Sequence, residues 1–410
     1  MRYPLFLFLV ILCAPSLCSV DAQEARHLSL AETVRLALQH SPLAQGAEAR
    51  ARGAEAHLRG AGTLPNPALS LAQPFGKNTG GTDEDILLTQ TVELGDKQRQ
   101  RRRAARAERE AALAERAATT SDLVLTAQTA YYEALRADAE RQLAEDALAA
   151  AQAFAQAAET QFQAGDVARS NVLRSRIELA RAQQSLDAAA TERANRYAAL
   201  RSLTGLPEDT ALVLTDSLAY APLSYRLSDL RALALRNRPD LLAAQRLRDS
   251  REAALHGARA QSQPDLFLEA RHSTLDPTVG GNSLRIGLLF PLFDLGRNRA
   301  DIQTAQAALQ EQDALAREAA RTARLEVETA VRNLEQARRT VESFQAGRLQ
   351  QAKELLEMAQ IGYDKGATTY LELLDAQQVY RNEQTAYTRA LADYNIAKAT
   401  LQRAVGGTLP

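Results

Sequence analysis

Tryptophan is absent from the 410 residues, and aromatics of all kinds make up only 5%. A chain this poor in large rings does not build a thick conventional core. Alanine, glutamine, arginine and glutamate dominate long stretches instead, a mixture that favours long helices meeting along thin, small-residue seams. An excess of either charge is missing too: 49 basic residues stand against 50 acidic ones. That balance supplies no global field to recruit nucleic acid or an anionic membrane, and no polyanion partner is expected. Cysteine is confined to Cys13 and Cys18. Both fall in an export-like segment: Arg2 gives the charge, "LFLFLVILCA" (Leu5 to Ala14) the apolar core, and "VDA" (Val20 to Ala22) a small-residue cleavage site. The apolar run is shorter than the ~20 residues of a spanning helix, so residues 1–22 are expected to leave as a signal peptide. A chain that enters an oxidising compartment without disulfides suits a bacterial cell envelope better than a small secreted scaffold. Lipid attachment at Cys18 is the alternative, for which Leu17 is a poor preceding residue.

Glycine and proline are also missing over long intervals: none stands between Gly95 and Gly165, and none between Gly165 and Gly205. A helix from Asp96 to about Phe162 would be on the order of 100 Å long at 1.5 Å per residue, which calls for a rod or a tube rather than a compact domain.

The chain repeats itself. "LALQHSP" (Leu36 to Pro42) returns as "LALRNRP" (Leu233 to Pro239), and Pro67 pairs with Pro264 at the same offset of 197. From "ELGDKQR" and "DLGRNRA" onward the offset is 201, joining Gly165 to Gly366 and Gly205 to Gly406. This internal duplication divides the mature chain into repeats at 23–215 and 216–410. Each holds a helix (about Leu30 to Ala61; about Leu227 to Ala260), two extended segments, and a long helical hairpin turning at Gly165 or Gly366. The second long helix carries isolated glycines, Gly347 and Gly362.

Apolar positions in these helices recur at three and four, as in Leu123, Ala127, Ala130, Ala134 and in Leu349, Ala352, Leu356, Ala359. An antiparallel coiled coil and a wall of side-by-side helices both satisfy that period. The extended segments are Pro67 to Phe75, Asp85 to Glu93, Pro264 to His272 and Leu284 to Leu292. The last alternates best, with Leu284, Ile286, Leu288 and Phe290 on one face. Their length matches the ~9 to 11 residues of a tilted membrane strand; a soluble two-hairpin cap fits the alternation equally well. If the strands span, open edges are not tolerated in hydrocarbon, so several chains must share a barrel. The polar loops "GKNTGGTDED" and "DPTVGGN" would then lie outside.

In sum the fold class is mainly α with a small β part. Taken in order, "LPNPALSL" (Leu64 to Leu71), "QTVELGDKQR" (Gln90 to Arg99), "PLFDLGRNRADI" (Pro291 to Ile302) and "YLELLDAQ" (Tyr370 to Gln377) resemble the TolC-like outer-membrane efflux factors, and among them the cation-efflux, CzcC-type branch. The resemblance covers the mature chain. It implies a homotrimer whose four strands per chain close a twelve-stranded barrel in the bacterial outer membrane, above a helical α-barrel tube in the periplasm. It implies partners as well: outer-membrane lipid, a periplasmic adaptor protein met by the tip turns at Gly165 and Gly366, and an inner-membrane pump of the RND class. Glu372 and Asp375 match the acidic pair that narrows the tube entrance, and Tyr363 a tyrosine that holds it closed. Asn171 and Thr368 depart from the family pattern, which takes away an acidic position and a closing bond. Metal cations are the expected cargo; a drug or type I secretion duct of the same family is the alternative.

No catalytic, cofactor or resident metal site is legible. His27, His40, His57, His256 and His272 are scattered without metal-ligand spacing. "GAGT" at Gly60 is a helix end, with no following lysine to make a phosphate cradle. The basic cluster Lys97, Arg99, Arg101, Arg102, Arg103 and Arg106 begins where strand gives way to helix. Membrane phosphates would attract it, and a solvated helix face paired to Glu108 and Glu110 explains it as well. The other function class is a periplasmic coiled-coil adaptor or scaffold, for which no separate β-rich domain is evident.

Overall fold

The computed structural model describes residues 26–72, 85–273, 281–291 and 296–409. The expected export segment, most of both hairpin loops and the stretch around Leu292 lie outside the described residues. The elements in chain order are β1 (Arg26–Leu28), α1 (Leu30–His40), α2 (Pro42–Ala61), β2 (Ala68–Ala72), β3 (Asp85–Glu93), α3 (Lys97–Ala164), α4 (Arg169–Thr204), β4 (Leu212–Leu214), α5 (Leu227–Asn237), α6 (Pro239–Ala260), β5 (Asp265–Ser273), β6 (Gly281–Leu289), α7 (Arg297–Ser343), α8 (Leu349–Asp364) and α9 (Tyr370–Val405).

The helices expected over Leu30 to Ala61 and Leu227 to Ala260 are each two helices, and proline is the cause. The residue before a proline is pushed out of the helical region: Ser41 sits at φ −68, ψ 121 and Arg238 at φ −64, ψ 120. Pro42 and Pro239 then start α2 and α6, where a missing N–H costs nothing. Ser41 serves both sides of its break, donating its N–H to the Ala37 carbonyl and accepting from Ala44 N–H at 3.4 Å. The α4 and α9 ends pack onto these breaks. A Cβ on Gly205 would stand 2.7 Å from His40, and one on Gly406 would stand 2.8 Å from the backbone at Arg238, so only glycine closes either helix here.

Helix α3 runs unbroken for 68 residues, roughly 100 Å at the standard rise. Its counterpart does not. Between α7 and α8 the chain forms a π turn over Phe344–Arg348, with Gly347 at φ 120, while Gly362 stays helical within α8. Phe344 fills the break: its ring tilts on Tyr387 at 5.4 Å and carries the Arg348 guanidinium at 4.6 Å.

Side by side, α2 packs on α3, α3 on α6, and α6 on α7. Farther along, α3 packs on α4 and α9, and α8 on α9. The seams are thin, as the composition requires. Leu123, Ala127 and Ala134 are buried along α3, and Ala352 and Ala359 along α8, with Leu349 and Leu356 only half-buried. Two thicker clusters anchor the middle. One gathers Val327, Leu334, Val341, Phe344, Tyr394 and Leu401 around α7 and α9. The other gathers Tyr131, Leu135, Tyr197 and Leu200 between α3 and α4. A two-stranded parallel pair, β1 with β4, closes the second cluster through Leu212. Asp216 behind it accepts from Leu30 N–H at 2.7 Å and from the Tyr131 hydroxyl at 2.7 Å. Burial, then the Asp216 hydrogen bond, pushes the Tyr131 phenol up to about 12.

Candidate functional site

Four strands form one antiparallel sheet in the order β2-β3-β5-β6. The expected strand limits shift: β2 is described only over Ala68–Ala72, and β6 is Gly281–Leu289 rather than Leu284 to Leu292, because pairing with β5 fixes where it begins. In antiparallel pairs, residues directly opposite point to one face, so the register sorts the side chains. One face holds Leu69, Leu88, Ala270 and Leu284 in a row, with Gln90, Leu268 and Ile286 beside it and Val92, Leu266 and Leu288 beyond. The other holds Thr89, Glu269 and Arg285 in a row, flanked by Leu87, Arg271 and Ser283 and by Thr91, Phe267 and Gly287. Arg285 is ion-paired with Glu269 across the strands. The first face is apolar yet open to solvent in the protomer, with Leu71 at 72%, Leu284 at 73% and Ile286 at 66% exposure. The sheet thus has a greasy, uncovered side and a charged side, and β2 and β6 each keep one unpaired edge among the described strands. His272 stands on the apolar side, its Nδ1 2.7 Å from Asn282 Oδ1.

The basic cluster at the sheet's end divides in two. Lys97 is buried and donates to Asp265 at 2.8 Å; Arg101 donates to Glu93 at 2.7 Å and to the Ala61 and Thr63 carbonyls. The Glu93 hydrogen bond raises the Arg101 pKa despite partial burial. Glu93 and Asp265 belong to the charged side of the sheet. Arg99, Arg102, Arg103 and Arg106 are exposed.

At the far end, Gly165 (φ 86) and Gly366 (φ 70) both take the left-handed backbone that glycine tolerates, as a tight reversal requires. Nothing lies within 4 Å of where a Cβ would stand on either, so backbone conformation alone asks for glycine. The two turns are capped unequally. Thr369 and Glu372 form a capping box at the start of α9: Thr369 N–H donates to the Glu372 carboxylate at 2.6 Å, and Glu372 N–H to Thr369 Oγ at 3.3 Å. Ala168, the equivalent N-cap of α4, makes no side-chain bond, and Asn171 bonds through its backbone to Ala168. Thr368 spends its hydroxyl within its own hairpin, on the Ala359 carbonyl at 3.1 Å.

Tyr363 joins the hairpins. Its hydroxyl lies 3.2 Å from Gln161 Oε1 on α3, and its ring tilts on Tyr370 at 6.1 Å. Leu373 and Ala376 are buried beneath with Ala359, against Phe154 of α3. Glu372 and Asp375 are both exposed but point to different business. Glu372 is folded back on Thr369, whereas Asp375 lines a groove of about 820 Å³ shared by α3, α4 and α9. Glu140, Glu178, Arg181, Arg381 and Arg389 line it too. Arg389 pairs with Glu140 at 2.7 Å. Arg381 donates to Gln378 at 3.0 Å, and burial lowers its pKa. These groove residues escaped sequence reasoning because they come from three helices, and Arg389 and Glu140 stand 249 residues apart.

No helix among the described residues is long and apolar enough to cross a membrane. The architecture is that of outer-membrane channel proteins. It matches the structure of VceC from Vibrio cholerae with a TM-score of 0.76 at 23% identity, covering 92% of this chain and 96% of that one. It matches CusC with a TM-score of 0.76 at 20% identity, covering 95% and 93%. The chain belongs to the outer membrane efflux protein family, whose model matches residues 33–206 and again 230–407. Members of this family are transporters rather than enzymes. A curated relative, the cobalt-zinc-cadmium resistance protein CzcC of Cupriavidus metallidurans, is 26% identical over 349 residues, 84% of this chain and 82% of its own.

Proposed function

We propose that three copies of the chain close one twelve-stranded barrel in the outer membrane, continue as a helical tube into the periplasm, and form the outer duct of a tripartite efflux pump. The two-faced sheet carries this reading. Its apolar side has no cover in the protomer, its charged side suits a wet lumen, and its open edges demand further strands. Three copies of four strands supply twelve. The repeats 23–215 and 216–410 are two versions of one unit, supported by the twofold family match, whose starts differ by 197 residues and whose ends differ by 201.

The turns at Gly165 and Gly366 form the tip that meets a periplasmic adaptor and, through it, an inner-membrane RND pump. In support, large apolar side chains gather exposed around both turns: Phe162, Leu173 and Ile177 at one, Met358, Ile361 and Leu371 at the other. Glu372, Asp375 and Tyr363 sit where a trimer would narrow its entrance. Tyr363 ties the hairpins together, and Asp375 is the carboxylate free of a capping duty. Divalent metal cations are the cargo this reading favours, from the likeness to a cobalt, zinc and cadmium resistance protein. Deleting the gene and measuring tolerance to cobalt, zinc, cadmium, nickel, copper and a drug panel side by side tests it. Lost metal tolerance with unchanged drug tolerance is expected; the reverse pattern moves the cargo to drugs.

A further inference from the structure

We propose that Arg99, Arg102, Arg103 and Arg106 form a binding stripe for the phosphate head groups of anionic phospholipid, in the leaflet of the outer membrane that faces the periplasm. This rests on the membrane reading of the sheet.

The four residues stand at i, i+3, i+4 and i+7, so they share one face of α3 over about 10 Å of helix. All four are exposed. Their direction follows from the junction. Lys97 and Arg101 lie on the opposite flank of the helix, and both pair with carboxylates on the charged side of the sheet. The stripe therefore lies below the apolar side, starting six residues past Glu93, where strand β3 ends. If the apolar side meets hydrocarbon, the stripe meets the head-group layer, which is roughly 5 to 7 Å deep per leaflet. Arginine side chains are long enough to reach back across that depth.

Its charge is largely unspent. Asp96 is 3.8 Å from Arg99, and Glu110 is shared between Arg106 at 3.3 Å and Arg246 at 3.2 Å. Arg102 and Arg103 have no carboxylate partner among the described residues. With Arg109 and Glu55 the four line an open groove of about 530 Å³ between α2 and α3. Guanidinium groups match phosphate oxygens bidentately. Another copy of the chain is poorly placed to cover them, because α3 is flanked by α2 and α6 of its own chain and so lies away from the lateral edges.

The second repeat supplies an internal contrast. At an offset of 201 the stripe positions are Ala300, Gln303, Thr304 and Ala307, with no charge among them. The first repeat thus carries a basic stripe where the second carries an uncharged face.

The test uses the full mature protein in vesicles of phosphatidylcholine with 30% phosphatidylglycerol, reading the relative association of spin-labelled phosphatidylglycerol over phosphatidylcholine. At roughly fivefold per arginine near an anionic surface, the parent should prefer phosphatidylglycerol at least about fivefold. R99Q/R102Q/R103Q/R106Q should bring the ratio near one. R102Q/R103Q, the milder change, should at least halve it, and the four-lysine version should keep most of it. A parent that inserts without preference, or a four-glutamine variant that keeps it, overturns the proposal alone. A parent that does not insert overturns the membrane reading along with it. If 10 mM inorganic phosphate abolishes the preference, or the variants lose binding to an acidic protein partner while the lipid ratio is unchanged, the lipid assignment is overturned in favour of a soluble anion or a protein.

Discussion

Ile286 is the most informative single residue to replace. It is the sixth of nine residues in β6, one place from the middle of a strand about 30 Å long at 3.3 Å per residue. It is 66% exposed in the protomer and opposite Leu268 on the apolar side of the sheet. In water an Ile→Arg change at so open a site stays within about 0.5 kcal/mol. In a bilayer, an arginine near mid-depth on the lipid face costs about 2–4 kcal/mol. A three-chain barrel counts that three times, on the order of 6–12 kcal/mol per assembly. Thr89→Arg is the control: it lies at the same level but on the charged side, in one row with Glu269 and Arg285. Urea unfolding of each variant from phospholipid vesicles, read as the midpoint and slope, gives the cost. Ile286→Arg should lower the midpoint strongly or prevent insertion, and Thr89→Arg should leave it nearly unchanged. Equal effects from the two, or none from Ile286→Arg, would refute the two-sided sheet as a membrane wall.

Gly366→Val puts a β-branched residue at φ 70, where even an unbranched one pays about 1–2 kcal/mol; metal tolerance should fall at unchanged outer-membrane abundance, and normal tolerance would count against a tip role. Glu372→Ala with Asp375→Ala should lower cation selectivity and relieve block by multivalent cations in planar-bilayer recordings, and identical recordings would take both carboxylates off the axis. Glu372→Gln separates the roles, since glutamine keeps the capping box while removing the charge. Asp240 is half-buried; burial raises its carboxyl, but hydrogen bonds and charge from Arg238 outweigh that and hold it below the usual range. Its stabilisation is present above the ordinary aspartate value of ~3.9 and lost as pH falls through the lowered folded value. Asp240→Asn should therefore lower Tm at pH 7, and the gap to the parent should narrow by pH 3; a gap independent of pH would refute the pairing.

The long helices were legible because missing glycine and proline over sixty residues is a direct statement about backbone. The turns at Gly165 and Gly366 were legible for the converse reason. The breaks at Pro42 and Pro239 were visible as prolines, yet helical period on both sides invited reading through them. The sheet's two faces were only half legible. β6 alternates plainly, but β3 carries Leu87 beside Leu88, and only cross-strand register shows that Leu88 stands with Leu69, Ala270 and Leu284 while Leu87 stands with Arg271 and Ser283. Nothing local announces the network in which Arg403 reaches Asp122 at 2.8 Å and Glu326 at 2.6 Å, and buried Arg238 reaches the same Glu326 at 2.7 Å. Its members are separated by as many as 281 residues. The three-residue strands β1 and β4 are too short to carry a period at all.

The proposed outer-membrane duct depends on a barrel that no single chain can close. Native mass measurement of the mature protein, extracted from outer membranes in mild detergent, tests it most directly. An assembly of three chains that stays intact until it unfolds is expected. A folded, stable monomer, holding its four strands with both edges open, would contradict it.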